Sequence, residues 1–367
     1  MIRQFLLAGL SAAVALVSLL AGSGIGKAYH LYPLTALAVM AAFVLFPLGR
    51  TLRDGQAPKR EFFLTLGLAL VIGVWPAYSG YGSMGLEYGW LLLLPYVVGQ
   101  FAFSERDTRT IGFSCGVMGF VIVAARVFFG VFGNWNNNDI AMAGFMGCVV
   151  CSAVPWRSWG MKIFHKILLI AMTAMLLQLN SRSCLISMVV LTLFAFRIIP
   201  IDFFIRKKWA RRIVLIFPLL VAVAVVLFQN SQLFVDLNDL SMEYIGKTIF
   251  NGRNVLWEKG LKIVWEYPLL GKGRIDNGQW HNCAITAMTA FGMVGYALWL
   301  YYFDKIMCDA QRWKGDLCLA ACMSAFLTVM FQQSFELGLI STTASMMPYL
   351  IMGIMLGRMR YLSKKER

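Results

Sequence analysis

Four ionisable side chains stand in polar breaks or at the ends of long apolar runs. His281 directly precedes one such run, and a neutral imidazole there is suited to accept a proton from a hydroxyl group. Arg182 and Arg253 lie in polar breaks, and Arg126 lies near the end of another run. An arginine at a membrane border either extends to the polar surface or binds an anion such as phosphate. Extension is favoured for Arg126, whereas Arg182 and Arg253 are candidates for an anion site.

The position of Arg253 adds to this interpretation. It falls in the first turn of a predicted helix, directly after Asn251-Gly252. A helix start presents unbonded backbone N–H groups, so a guanidinium beside them forms a phosphate-binding arrangement. The alternative is a solvated charge on a helix at the membrane surface.

Further polar residues are candidates for the same site. The asparagine-rich loop Gly133–Asp139 either caps the next helix or contacts a substrate, with Asn138 as the candidate contact. Asn282 follows His281 and is a second candidate contact. Glu336 lies in a short polar stretch and is a candidate partner that fixes the imidazole tautomer.

The other two histidines are expected to be dispensable. His30 lies in a short loop, and His165 lies near the predicted cytoplasmic end of a span. If His281 is not the base, the carboxylate of Glu336 or Asp276 takes its place as the candidate.

The composition is that of a membrane protein with many spans. Hydrophobic residues make up 59% of the 367 residues, charged residues 14%, and the mean hydropathy is +0.68. The apolar runs are too long and too many for a buried soluble core. The sequence therefore predicts one all-α membrane domain, 1–367, with about twelve transmembrane helices. The predicted spans lie near 4–21, 31–48, 61–78, 86–103, 110–130, 139–155, 163–180, 184–204, 213–228, 283–303, 317–333 and 338–356.

One predicted loop, residues 229–282, is much longer than the others. It contains Trp257, Leu261, Val264 and Trp265, whose spacing places them on one face of a helix. The opposite face is charged, and the helix ends before the next proline. The pattern predicts an amphipathic helix that lies along the membrane surface.

The basic residues set the predicted orientation. With a cytoplasmic N-terminus, about two-thirds of the 33 Lys and Arg residues fall on the cytoplasmic side. Both termini are then cytoplasmic, and the loop 229–282 faces the periplasm. The net charge of +15 follows from this topology and from contact with membrane lipid, so nucleic acid is not an expected partner.

Metal, redox and nucleotide chemistry have no support in the sequence. The eight cysteines lie within or near apolar runs, and Cys148-x-x-Cys151 falls inside one, so they are interpreted as small apolar residues. No Cys/His cluster has zinc spacing, and no Walker loop is present. No metal and no cofactor are expected.

The order and spacing of the candidate residues resemble the signature of the bacterial O-antigen ligase and polymerase superfamily. The segments that carry the resemblance are Arg253-x3-Trp257, Pro268-Leu269-Leu270-Gly271-x-Gly273 and His281-Asn282-x9-Gly292-x2-Gly295. Asn180-Ser181-Arg182-Ser183 and the run Asn136–Ala141 are similar to two further landmarks of that family. The predicted spans and the single long loop also fit.

The resemblance implies a metal-independent, inverting glycosyltransferase of the bacterial inner membrane, with a GT-C-like helical fold. Its donor would be a glycan linked to undecaprenyl diphosphate. The periplasmic acceptor would be lipid A–core for a ligase, a lipid-linked repeat unit for a polymerase, or a protein. By position, Arg182 and Arg253 would bind the pyrophosphate, with Arg126 as a further candidate, and His281 would be the base for the acceptor hydroxyl. The long loop is shorter than a ligase leads one to expect, so the polymerase stays an alternative.

A membrane transporter or lipid-linked glycan flippase is the competing class, since it also has about twelve spans. That class predicts paired charges at mid-membrane depth and repeat-related broken helices, and neither pattern is evident in the sequence. A purely structural scaffold gives no reason for the polar residues at one face.

A reporter active only in the periplasm tests the orientation. Fused after Gly273 it should be active, and fused after Lys314 it should be silent, because the two positions lie on opposite sides of the membrane in the predicted topology. Activity at the second position would contradict the orientation and place His281 in the wrong compartment.

Overall fold

Helices are the only regular elements in the part of the chain that the structure describes. The structure is a computed structural model, and it describes residues 2–20, 31–54, 60–78, 84–133, 135–246, 248–273, 280–336, 338–340 and 345–366. The helices are α1 (Ile2–Leu20), α2 (Leu31–Asp54), α3 (Arg60–Tyr78), α4 (Met84–Gly99), α5 (Glu105–Phe129), α6 (Asn137–Ser152), α7 (Trp159–Gln178), α8 (Arg182–Ala195), α9 (Ile201–Arg206), α10 (Lys208–Phe228), α11 (Gln232–Ile245), α12 (Arg253–Glu266), α13 (Cys283–Ala310), α14 (Leu317–Gln332) and α15 (Met347–Glu366). The all-α expectation is confirmed.

Several of these helices suit a lipid bilayer. Four are long and apolar enough to cross a membrane, namely α5, α7, α10 and α13 with the 3-10 turn that follows it. Six shorter apolar stretches lie in α1, α2, α3, α4, α8 and α14. The chain is thus a multi-pass membrane protein, while the figure of twelve spans stays a prediction.

Two predicted spans differ from the observed helices. The span 184–204 is divided, because α8 ends at Ala195 and Pro200 begins the short helix α9. The last helix begins at Met347, nine residues after the start predicted at 338. The cause is a turn before it, in which the side-chain oxygen of Gln333 accepts hydrogen bonds from the N–H groups of Gly338 (2.9 Å) and Leu339 (2.8 Å).

The start of α5 is fixed locally and then joined to α1. Ser104 and Asp107 form a capping box, in which each side chain accepts a hydrogen bond from the other's backbone N–H. The same Asp107 carboxylate accepts hydrogen bonds from Arg3 (2.8 Å) and Gln4 (2.7 Å) of α1. Asp107 therefore both caps α5 and binds α1.

Several basic residues attributed to topology also join helices. Arg211 is fully buried in α10, and it and Arg212 bind the two oxygens of Asp304 in α13, at 3.3 and 2.9 Å. Arg358 of α15 binds Asp316 at the start of α14, at 2.7 Å. Burying these carboxylates would be costly without the paired guanidinium groups.

The helix α13 is broken at Gly292, and backbone groups of residues 268–273 replace the lost helical hydrogen bonds. Gly292 has φ 70° and ψ −178°, which ends the regular hydrogen bonding of the helix. Freed N–H groups of Met293 and Val294 donate to the carbonyls of Pro268 (2.8 Å) and Leu269 (3.2 Å). Freed carbonyls of Thr289 and Ala290 accept from the N–H groups of Lys272 (2.7 Å) and Gly273 (2.9 Å). The Pro268–Gly273 motif and the Gly292 motif therefore pair with each other.

The long loop contains two helices, α11 and α12, rather than one. The apolar residues of α12 do not share one environment, since Trp257 is 0% exposed and Trp265 is 87% exposed. Trp257 packs with Trp280, Ile285 and Ala222 in a small cluster separate from the main core. Helix α12 thus rests on α10 and α13 through Trp257, and this corrects the expectation of a single membrane-facing stripe.

Replacement of Gly292 by alanine should disrupt this junction. An added Cβ would lie 2.0 Å from the carbonyl oxygen of Leu269, and the positive φ is itself unfavourable for alanine. We expect Gly292→Ala to lower the free energy of unfolding by about 3 kcal/mol or more, or to prevent accumulation. Thermal unfolding in detergent measures this.

The matched control is Gly160→Ala in α7, where an added Cβ meets nothing within 4 Å. It should leave the melting temperature almost unchanged. A Gly292→Ala protein as stable as this control would contradict the proposed junction.

Candidate active site

Glu336 is the centre of a polar cluster assembled from three distant parts of the chain. Its Oε1 accepts hydrogen bonds from Arg253 Nη2 (2.6 Å) and Ser183 Oγ (3.2 Å), and its Oε2 lies 3.0 Å from His281 Nδ1. The Glu336 side chain is only 9% exposed. The starts of α8, α12 and α13 therefore meet at one carboxylate.

The environment of Glu336 favours its charged form. Burial by itself raises the pKa of this carboxyl, but the hydrogen bond from His281 and the charge of Arg253 outweigh burial and hold the pKa below its usual value. Glu336 is thus an anion at neutral pH and can only accept hydrogen bonds.

This charge fixes the tautomer of His281. Because Glu336 only accepts, Nδ1 of the imidazole carries the hydrogen that is donated, and the neutral ring keeps a lone pair on Nε2. The His281 side chain is 28% exposed, and its Nε2 has no partner among the described residues. The arrangement can therefore accept a proton from a hydroxyl group.

The backbone of His281 is held in an unusual conformation. Its φ of 48° is in the left-handed region, which residues other than glycine and asparagine seldom occupy. Such a conformation persists where surrounding contacts determine it, and it is found most often at functional sites. One such contact is the hydrogen bond from the N–H of Cys283 to the carbonyl of Gln333, at 3.1 Å.

Asn282 has a structural place in the site. It is fully buried, and its side-chain oxygen caps α13 by accepting from the N–H groups of Ala284 (3.0 Å) and Ile285 (3.1 Å). Its amide nitrogen donates to the carbonyls of Pro218 (2.8 Å) and Ser334 (3.1 Å). All its donors and acceptors are used within the protein, so Asn282 positions His281 and is not placed to contact a substrate.

The two candidate anion-binding arginines come together at this cluster. Arg253 binds Glu336 and the carbonyl of Phe335, and its side chain is 18% exposed. Arg182 directly precedes Ser183, which shares the Glu336 oxygen with Arg253, and it donates to the carbonyl of Thr248 at 3.2 Å. Each guanidinium has further N–H groups for an anion.

Arg126, in the last turn of α5, and Asn138, in the first turn of α6, lie outside the Glu336 cluster. Arg126 donates to the side-chain oxygen of Asn137, at 3.0 and 3.2 Å. Asn138 is exposed, and its N–H donates to the cap residue Asn136 at 3.0 Å. Neither contacts Glu336, His281 or Arg253 in the described part of the chain.

Of the remaining candidate residues, two lie outside the described part of the chain and one is buried between helices. His30 and Asp276 lie outside the described residues. His165 is buried, and its Nε2 lies 2.8 Å from the hydroxyl of Ser152, so it supports the packing of α6 against α7. That His165 is dispensable for the chemistry stays a prediction. All eight cysteines are free, and all but Cys308 are buried.

Sequence reasoning missed two residues that hold the cluster. Ser183 binds Glu336, and its only signal was its position beside Arg182. Trp280 directly precedes His281, and its carbonyl accepts a hydrogen bond from the indole of Trp257 at 2.6 Å. A tryptophan directly before a histidine gives no indication of that long-range contact.

Comparison with protein families agrees with this geometry. Residues 167–300 match the family model described as O-antigen ligase. This match supports the resemblance of the chain to the O-antigen ligase and polymerase superfamily. A search of curated proteins finds no match.

The matched segment includes Arg182, Arg253, His281 and the Gly292 junction, whereas Glu336 lies after its end. The matched family implies a glycosyltransferase-like membrane enzyme, and its substrates would be a lipid-linked glycan and an acceptor.

Glu336→Gln should reduce stability in a pH-dependent manner. Because the folded-state pKa is lowered from 4.5, the carboxylate contributes stability that is fully present above about pH 4.5 and is lost as the pH falls through the folded-state pKa. At pH 7 we expect the variant to lose about 1–3 kcal/mol, the range for hydrogen bonds to a charged group. Melting temperatures recorded from neutral to acidic pH should converge at the acid end.

Glu266→Gln, at the exposed end of α12, is the matched control and should follow the wild type at every pH. A constant difference between wild type and Glu336→Gln down to about pH 3 would show that the charge of Glu336 is not what stabilises the cluster.

Proposed function

We propose that the protein is an O-antigen ligase-type glycosyltransferase that moves a glycan from undecaprenyl pyrophosphate to lipid A–core on the periplasmic side of the inner membrane. The observation that carries the proposal is the chain of contacts from Arg253 through Glu336 to His281. It joins a cationic group suited to pyrophosphate with a base suited to a sugar hydroxyl.

The proposed reaction is a single displacement at the anomeric carbon. Nε2 of His281 accepts the proton of the acceptor hydroxyl as its oxygen forms the new bond to the anomeric carbon. The bond from that carbon to the pyrophosphate oxygen breaks, and the electron pair leaves with undecaprenyl pyrophosphate. The configuration at the carbon is inverted. Glu336 stabilises the positive imidazolium ring that forms, because its carboxylate faces Nδ1 at 3.0 Å.

The arginines stabilise the leaving group in this proposal. Negative charge grows on the pyrophosphate as the bond breaks, and guanidinium groups fixed before the reaction stabilise it without reorganisation. Arg253 is held by Glu336 and Phe335, and Arg182 is held by Thr248. This arrangement supplies the charge that a Mg²⁺ ion supplies in other enzymes of diphosphate chemistry, so the proposed mechanism uses no metal.

A polymerase that joins lipid-linked repeat units is the second candidate. The limited size of the segment between α10 and α13 favours it, because a large acceptor such as lipid A–core needs an extended surface. Expression in ligase-null and polymerase-null cells separates the two: glycan attached to lipid A–core indicates a ligase, and a ladder of long chains indicates a polymerase.

A transporter is a weaker candidate. Its charged pairs are expected at mid-membrane depth, whereas the buried pair of Arg211 and Asp304 lies near the ends of α10 and α13 and is closed by Arg212. The break at Gly292 is filled by protein backbone rather than left open to an ion.

Substitution of His281 tests the proposed chemistry. Asparagine tolerates the positive φ of this position and can still donate to Glu336, but it cannot accept a proton. We expect His281→Asn and His281→Ala to lower turnover about 10²–10⁴-fold while donor binding is retained. The measurement is transfer from purified lipid-linked donor to acceptor in nanodiscs, at equal protein.

His30→Ala serves as the control histidine variant and should transfer at the wild-type rate, and EDTA should have no effect. Wild-type turnover by His281→Asn would eliminate the imidazole as the base, and Glu336 and Asp276 would then be tested in its place.

A further inference from the structure

One face of α6 is turned toward the segment that carries Glu336. Asp139, Met142 and Met146 are spaced by three and four residues, so they lie along one side of this helix. The sulfur of Met142 accepts a hydrogen bond from Gln332 Nε2 at 3.5 Å. A Cβ added at Gly338 would lie 3.4 Å from the terminal methyl of Met146.

These two contacts flank Glu336 on both sides in the sequence. The face of α6 that begins with Asp139 therefore borders the candidate active site, and Asp139 stands at its exposed end, in the first turn of the helix.

The carboxylate of Asp139 differs from the buried carboxylates that join helices in the described chain. Its side chain makes no hydrogen bond or ion pair with any described residue, whereas Glu336, Asp304 and Asp316 are each bound by an arginine. Burial by the surrounding protein and the charge of Glu336 both raise the pKa of Asp139. A hydrogen-bond acceptor without a partner among the described residues is thus available on the face of α6 that borders the segment of Glu336.

The sign of this charge limits what Asp139 can bind. A pyrophosphate is an anion and would be repelled by Asp139 and attracted by Arg253 and Arg182. The hydroxyl groups of a sugar are donors, and a carboxylate at a partly exposed position accepts from them well. Arg126 donates its guanidinium hydrogen bonds to Asn137 and forms no ion pair with Asp139.

We infer that Asp139 is an acceptor-binding residue, whose carboxylate accepts hydrogen bonds from hydroxyl groups of the acceptor sugar close to the attacking oxygen. The inference rests on the proposed glycosyl transfer and adds a division of the site: the arginines take the donor, and Asp139 takes the acceptor. His281 then lies between the two, next to the hydroxyl that it deprotonates.

Steady-state kinetics with the full-length protein in nanodiscs tests the division. Donor and lipid A–core acceptor are varied separately for the wild type, Asp139→Asn and Asp139→Glu. Loss of the charged hydrogen-bond acceptor should raise the apparent KM for acceptor about fivefold to tenfold and leave the KM for donor unchanged or lower. Asp139→Glu keeps the carboxylate and should recover part of the loss.

Asp239→Asn is the matched control, because it removes the same charge from an exposed position on α11, and its two KM values should equal those of the wild type. If Asp139→Asn fails to accumulate, Asp139→Ser carries the same expectation, since serine is also favourable near a helix start.

The outcomes separate the two levels of the argument. Absence of transfer by the wild type would overturn the proposed function. Transfer by the wild type together with an unchanged acceptor KM in both neutral variants, or a raised donor KM, would overturn the assignment of Asp139 and leave the function standing. A fall in kcat and melting temperature with both KM values unchanged would also overturn it, because that result indicates a structural role.

Discussion

The ionised carboxylate of Glu336 is the constraint on which the candidate site depends. A charge that is 9% exposed must be neutralised and hydrogen-bonded, because an unpaired buried charge costs several kcal/mol. Its three partners come from the starts of α8, α12 and α13, which are far apart in the sequence. Satisfying Glu336 therefore sets the distance between the arginine and the histidine. Neither of these two side chains needs to be placed by packing alone.

The charged residues are arranged differently at the two ends of the molecule. At the end that contains Arg211, Arg358 and Asp107, the carboxylates are bound by arginines from other helices, so the ion pairs serve assembly. At the end that contains Glu336, Arg182 keeps free N–H groups, and Asp139 has no partner in the described chain. The free hydrogen-bonding groups beside the Glu336 cluster are the electrostatic reason to place ligands there.

Much of the candidate site was predictable from residue types. Placing histidine or arginine next to apolar membrane segments costs free energy, so such residues usually have a function. This argument identified His281, Arg182 and Arg253 from the sequence alone. Glu336 was predictable as the partner of His281 because few carboxylates occur near the same face. The all-helical fold followed from the length and number of the apolar runs.

The rest depended on long-range pairing, which local sequence does not encode. Asn282 was predicted to contact a substrate, but its amide donates hydrogen bonds to the carbonyls of Pro218 and Ser334. The last helix was placed too early because the hydrogen bonds of Gln333 to the following turn are invisible in an apolar sequence. The helical periodicity placed Trp257 and Trp265 on the same face. Trp257 is buried because it contacts Trp280, and Trp265 is exposed.

The break at Gly292 also bears on how the chain enters a bilayer during synthesis. Two N–H groups and two carbonyls of α13 are bonded only to the Pro268–Gly273 segment, and in hydrocarbon each such group costs several kcal/mol when unbonded. This helix therefore reaches its stable state in lipid only together with the polar segment that precedes it in the chain. Stable insertion of α13 is therefore coupled thermodynamically to the folding of the Pro268–Gly273 segment.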